Sequence, residues 1–158
     1  MTRVNYNAVV EELLKGVVAL DSDRAMCINS PRYRAIAEFR TIGFRGTRQT
    51  GMTHTVRNLA LKDHGKTLIV FPDRTLRESF EQRWEQELSG VPKPFIWSGA
   101  FYSEQERRGK SPIIGDCNQF DTIIIDEASR YFGLFSYDKT FRAISGVASD
   151  NVVVYLAG

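Results

Sequence analysis

Apolar residues along this chain change their spacing several times, and each change marks an element. From Asn7 to Leu20, Val9, Val10, Leu13, Leu14, Val17 and Val18 recur at helical steps, with Glu11, Glu12 and Lys15 on the other side. That spacing predicts an amphipathic helix. Asp21 to Pro31 is polar and reads as a connection, Arg32 to Phe39 as a short helix, and Thr41 to Phe44 as a short strand. Thr67-Leu68-Ile69-Val70-Phe71 is continuously apolar and stops at Pro72, the pattern of a strand buried on both faces. Asp73 then caps a helix whose Leu76, Phe80, Trp84 and Leu88 form one stripe, ending near Gly90. Short strands are expected at Pro94 to Trp97 and Pro112 to Ile114, flanking a charged segment. Ile123 to Ile125 reads as another buried strand, Tyr137 to Val147 as a helix, and Asn151 to Leu156 as a final strand.

Strands alternating with helices predict an α/β protein, a three-layer sandwich built on a mainly parallel sheet. Residues 1–30 are expected to form an N-terminal helix and connection, and residues 31–158 the core domain. In such sheets ligands bind beyond the carboxyl ends of the strands, which directs attention to the loops leading into helices.

Composition narrows the classes. The 158 residues are 42% hydrophobic and 25% charged, which suits a folded domain and argues against disorder. Lys and Arg total 21 against 19 Asp and Glu, so a net charge of +2 gives no general nucleic-acid coat, although a local basic patch remains open. Cys27 and Cys117 provide neither a zinc quartet nor a disulfide framework. No apolar run approaches the roughly 18 residues needed to span a bilayer, and no export signal is legible at the start. A cytoplasmic protein without a membrane partner is the expectation.

Two strand ends carry candidate chemistry. Gly46-Thr47-Arg48-Gln49-Thr50-Gly51-Met52-Thr53 has the phosphate-loop spacing of glycine, four residues, glycine, one residue, then Ser or Thr. Such a loop turns its N–H groups toward a phosphate, aided by the N-terminal end of the next helix. Met52 stands where the motif carries a lysine. A glycine-rich turn into a helix would look the same. The second strand end is Phe120 to Ile125 followed by Asp126-Glu127-Ala128. Paired acids there suit magnesium handling by the first and water activation by the second. A helix cap at Asp126 is the alternative.

The order of these features resembles the first ATPase core of superfamily 1 and 2 helicases and of phage terminase large subunits, a phosphate-loop, RecA-like fold. Thr47-Arg48-Gln49-Thr50-Gly51 is similar to the Arg-Gln-rich loop of terminases, and Gly65 to Pro72 resembles motif Ia. Ser111 to Asp116 falls where those cores have the strand before the acidic motif. Asp126-Glu127-Ala128 is similar to Walker B, and Val152 to Gly158 to the strand leading to motif III. The resemblance covers about Ala35 to Gly158. It implies binding of ATP or another nucleoside triphosphate with Mg2+. Gly46, Thr47, Arg48, Gln49, Thr50, Gly51, Met52 and Thr53 would hold phosphates, Thr53 and Asp126 the metal, and Glu127 the attacking water. Arg48, or Arg45, would supply the charge missing at Met52, and Arg48 could alternatively act as an arginine finger in cis.

Since Met52 lacks that charge, hydrolysis is expected to be weak or dependent on a partner. Two alternatives stand beside this. The chain could be an inactive ATPase-like module that binds and regulates a partner, or one lobe of a larger nucleic-acid motor. Arg107, Arg108 and Lys110 near Phe101 and Tyr102 form a basic, aromatic loop able to meet nucleic acid, with an ordinary exposed loop the favoured reading. Arg74, Arg77 and Arg83 alternate with Glu78, Glu81, Glu85 and Glu87 as a solvated mixed-charge face. His54 and His64 lack metal-ligand neighbours. Lys62 and Lys66 are placed too far along to replace Met52. Phe132, Phe135 and Tyr137 would serve either core packing or a partner surface.

Overall fold

The structure is a computed structural model that describes residues 4–21, 31–46, 52–62, 66–101 and 120–158. Among these residues the helices are α1 (Tyr6–Leu14), α2 (Arg32–Phe39), α3 (Met52–Lys62), α4 (Arg74–Glu87), α5 (Ala128–Leu134) and α6 (Tyr137–Val147). The strands are β1 (Thr41–Phe44), β2 (Thr67–Phe71), β3 (Phe95–Ser98), β4 (Phe120–Ile125) and β5 (Ala148–Ala157). They form one sheet in the order β1-β5-β4-β2-β3, every pair parallel.

Alternating side chains build the two cores. Ile123 and Ile125 of β4, with Leu68 and Val70 of β2, face Tyr33 and Ile36 of α2, Tyr131 of α5 and Phe141 and Ile144 of α6. Ile124, Ile69 and Phe71 point the other way, onto Tyr6 and Val10 of α1, Val56 and Leu59 of α3 and Phe80 and Trp84 of α4. All five residues of β2 are buried, as its unbroken apolar run requires. Helices on both faces of a parallel sheet make the three layers expected from the sequence.

Topology follows from handedness. The chain steps from β1 to β2 to β3 in one direction across the sheet and from β4 to β5 in the other. Right-handed crossovers then require opposite faces for the connecting helices. Accordingly α3 and α4 lie in one layer and α5 and α6 in the other. The segments leaving the neighbouring strands β2 and β4 turn to opposite faces of the sheet, the place where ligands bind in folds of this kind.

Local signals were largely faithful. Asp73 caps α4, its side chain accepting the Leu76 N–H at 2.9 Å. Ion pairs Arg74–Glu78 and Arg77–Glu81 lie along that helix, in keeping with a mixed-charge face. The first helix stops at Leu14 rather than Leu20. Lys15 and Gly16 form a turn, and the Val18 N–H instead donates to the Phe39 carbonyl at 3.1 Å. Tyr6 and Val10 of α1 are buried against the sheet, so α1 belongs to the same packed body. Guanidinium groups lock distant backbone. Arg32 donates to the carbonyls of Ser145, Ala148 and Ser149, and Arg40 to those of Val152, Asn151 and Val18. No helix among the described residues is long and apolar enough to cross a membrane. The expected strand at Pro112 to Ile114, the motif-like stretch Ser111 to Asp116, and Cys27, Cys117 and His64 lie outside the described residues.

Candidate functional site

Because every strand runs the same way, Phe44, Phe71, Ser98, Ile125 and Ala157 all end at one edge. There the register pairs Phe44 with Ala157, Ile125 with Leu156, and Phe71 with Ser98. β1 and β4 are each hydrogen-bonded to β5, so their ends stand two strand spacings apart, about 10 Å. Of the glycine loop, Gly46, Met52 and Thr53 are described, whereas Thr47, Arg48, Gln49, Thr50 and Gly51 lie outside the described residues. Thr53 is exposed in the first turn of α3. Met52 is half-buried and packs on the apolar cluster beneath α3 and α4. Arg45 is exposed one residue past β1, and no carboxylate among the described residues pairs with it.

Asp126 and Glu127 form the turn between β4 and α5. The Asp126 N–H donates to the Val70 carbonyl at 3.0 Å, continuing the β2–β4 ladder one step past the strands. Glu127, rather than Asp126, occupies the cap position of α5, and its side chain makes no capping bond. A helix cap therefore does not account for Asp126. Burial pushes the Asp126 carboxyl up to about 6, the Glu127 charge adds to the rise, and the neighbouring Glu127 N–H dipole opposes it. No cation among the described residues lies at ion-pair distance from this carboxyl.

Glu127 has φ 49° and ψ 47°, the left-handed region, and is the sole non-glycine with positive φ among the described residues. For a side chain without a hydrogen-bonding reason to be there, this costs roughly 1–2 kcal/mol. Such strain persists only where neighbours over-determine it, and it concentrates at functional sites.

Those neighbours come from every strand end nearby. Gly158 lies against the turn so closely that a Cβ would stand 2.9 Å from the Glu127 Cα, and its φ of +124° also demands glycine. The Gly158 N–H donates to the Phe44 carbonyl at 3.1 Å, and its carbonyl accepts the Ser129 hydroxyl at 3.3 Å. Gly158 thus joins the end of β1 to the acidic turn. On the other side Arg130 pairs with Asp73 at 2.7 Å, linking the segments that follow β4 and β2. Tyr131, fully buried, donates its hydroxyl to the Gly99 carbonyl at 3.1 Å and accepts the Phe101 N–H at 3.2 Å. None of Ser129, Arg130, Tyr131, Asp73 or Gly158 had been assigned a role at this site from sequence. Only Gly158, a glycine closing an apolar strand, carried a local signal.

Other candidates separate from the site. Lys66 pairs with Asp121 at 3.3 Å at the opposite edge of the sheet, so it cannot stand in for Met52. His54 is exposed, with its Nδ1 2.8 Å from Arg57 Nη2, and Arg57 also pairs with Glu87. Phe132, Tyr137 and Phe141 pack on one another, while Leu134 and Tyr137 remain exposed. Phe101 is buried, whereas Tyr102, Arg107, Arg108 and Lys110 lie outside the described residues.

Among the described residues no group of three or more His, Cys, Asp or Glu could cage a metal alone. Magnesium does not need one, since it commonly takes one or two carboxylates and completes its shell with phosphate and water. A half-buried carboxyl with a lifted pKa and no cation paired with it among the described residues fits that requirement. No protein-family model matches the chain, and no curated protein matches it significantly.

Proposed function

We propose that the carboxyl edge of the sheet is a magnesium–nucleotide site of phosphate-loop type, taking ATP or another nucleoside triphosphate, with hydrolysis weak or dependent on a partner. The observation that carries this reading is the common edge. The strand leading into the glycine loop and the strand ending in Asp126-Glu127 run parallel, one strand apart, and Gly158 ties their ends together.

In this reading backbone N–H groups of Gly46 to Thr53 and the start of α3 meet the phosphate oxygens. The Thr53 hydroxyl and the Asp126 carboxylate hold the metal. Magnesium, when bound, neutralises charge on the phosphates. Glu127 accepts the proton of the attacking water as the terminal phosphorus–oxygen bond breaks. Arg48, or the exposed Arg45, supplies the positive charge that Met52 lacks. The helicase and terminase relationship, and any nucleic-acid partner, belong to this proposal.

The test is equilibrium binding of ATP and of a nonhydrolysable analogue, with magnesium and with EDTA. Magnesium-dependent binding is expected. No binding at millimolar nucleotide would end the reading.

The partial burial of Met52 favours a second reading. A side chain committed to the apolar cluster suits a loop that no longer performs catalysis, hence a module that binds nucleotide or a partner without turnover. Nucleotide binding unaccompanied by hydrolysis under any partner condition would select it.

A further inference from the structure

We infer that Arg130 and Asp73 are a positioning pair, linking the segments that follow β4 and β2 to hold the Asp126-Glu127 turn in its left-handed shape. The inference deepens the proposed nucleotide site and rests on that reading for its activity consequences, although its structural consequence does not.

Three observations lead to it. Glu127 is held in a conformation that glutamate disfavours, so something must keep it there. Arg130 is three residues on from Glu127, in the first turn of α5, and its guanidinium crosses to the loop after β2. Asp73 is used twice: Oδ1 accepts the Leu76 N–H and caps α4, while Oδ2 meets Arg130 at 2.7 Å. One carboxylate, itself fixed by a helix start, therefore anchors the acidic turn on the side opposite Gly158. The Asp126 N–H bond to Val70 runs between the same two segments and reports their alignment.

The two jobs of Asp73 can be separated. Asp73→Ser keeps a capping oxygen and removes the ion pair. Arg130→Ala removes the pair from the other end, and Arg130→Lys keeps the charge. Both pair members are partly exposed, with side-chain accessibilities of 56% and 31%, so little change in melting temperature is expected. The readouts are amide hydrogen exchange at Asp126 and the Glu127 Cα chemical shift, which reports left-handed geometry. Asp73→Ser and Arg130→Ala should each speed Asp126 exchange about fivefold, the range open to such a pair, and move the Glu127 shift. Arg130→Lys should stay near the parent protein. Where hydrolysis is measurable, kcat should fall by a similar factor with KM unchanged.

Unaltered exchange and shift in both Asp73→Ser and Arg130→Ala would overturn the inference, leaving Asp73 a helix cap only. Failure of the parent protein to bind magnesium nucleotide would instead remove the proposed function, while the exchange result would still decide the pair.

Discussion

The two ends of β4 carry an aspartate each, and the two are treated oppositely. Asp121, at the amino end, receives a hydrogen bond from the Ser149 hydroxyl and pairs with Lys66. Asp126, just past the carboxyl end, has no cation at ion-pair distance among the described residues, and burial lifts its pKa to about 6. The amino edge is electrostatically finished by the chain itself. The carboxyl edge keeps a poorly solvated carboxyl beside a strained glutamate, an arrangement that gains little for folding and suits a ligand cation.

Asp126→Asn should break the comparison most. The ordinary carboxyl value is 3.8 and folding lifts it to about 6. Between those values the native state keeps a proton that the unfolded chain has released, so stability falls as pH rises through the window and levels off above it. Removing the charge should raise stability at pH 7 by at most about 3 kcal/mol and flatten the profile between about pH 4 and 6. Urea unfolding across pH reads this. Magnesium-dependent nucleotide binding should weaken by about two orders of magnitude in the same variant, measurable by titration calorimetry. Stability and function would then move in opposite directions, as expected of a residue kept for binding.

Gly158→Ala probes the contact that braces the turn. The added Cβ meets the Glu127 backbone at 2.9 Å and positive φ is lost, so a cost of about 2 kcal/mol in urea unfolding is expected. Gly133→Ala, where nothing lies within 4 Å, should be neutral or slightly stabilising.

Met52→Lys sharpens the distinction between a muted ATPase and a binding module. About tenfold faster hydrolysis, some 1.4 kcal/mol of barrier, is expected from restoring the loop charge. An unchanged rate in a steady-state phosphate-release assay, with nucleotide still bound, would favour the silent module. Asp121→Asn should have a small effect, confined to stability. Its pair with Lys66 is substantially exposed, so a loss of about 0.5–1 kcal/mol is expected, with nucleotide affinity unaltered.

Much of this architecture was legible from local pattern. The run Thr67 to Phe71, the stripe Leu76 to Leu88 and the span Tyr137 to Val147 each state their element and its buried side, because periodicity is a direct record of which positions face a core. The first helix was overextended because Val17 and Val18 continue the spacing, while tertiary bonding of Val18 to the end of α2 draws the chain away. Helix α5 carries too few residues to set a period, and Phe132, Phe135 and Tyr137 read equally as core or as partner surface. In the structure Phe132 and Phe135 are half-buried against the core, whereas Tyr137 is exposed.

By itself the sequence determined the alternation of strands and helices, the apolar strand that ends in two acids, and the glycine spacing that precedes Met52. These are properties of neighbours in the chain, encoded in spacing and residue type. Only the tertiary structure decided that both strand ends share an edge, and that Gly158 and the Arg130–Asp73 pair brace the turn from opposite sides. It likewise decided which of the two aspartates at the ends of β4 has no paired cation among the described residues. Strand order, close backbone approach and desolvation arise from residues far apart in the chain, and no local period records them.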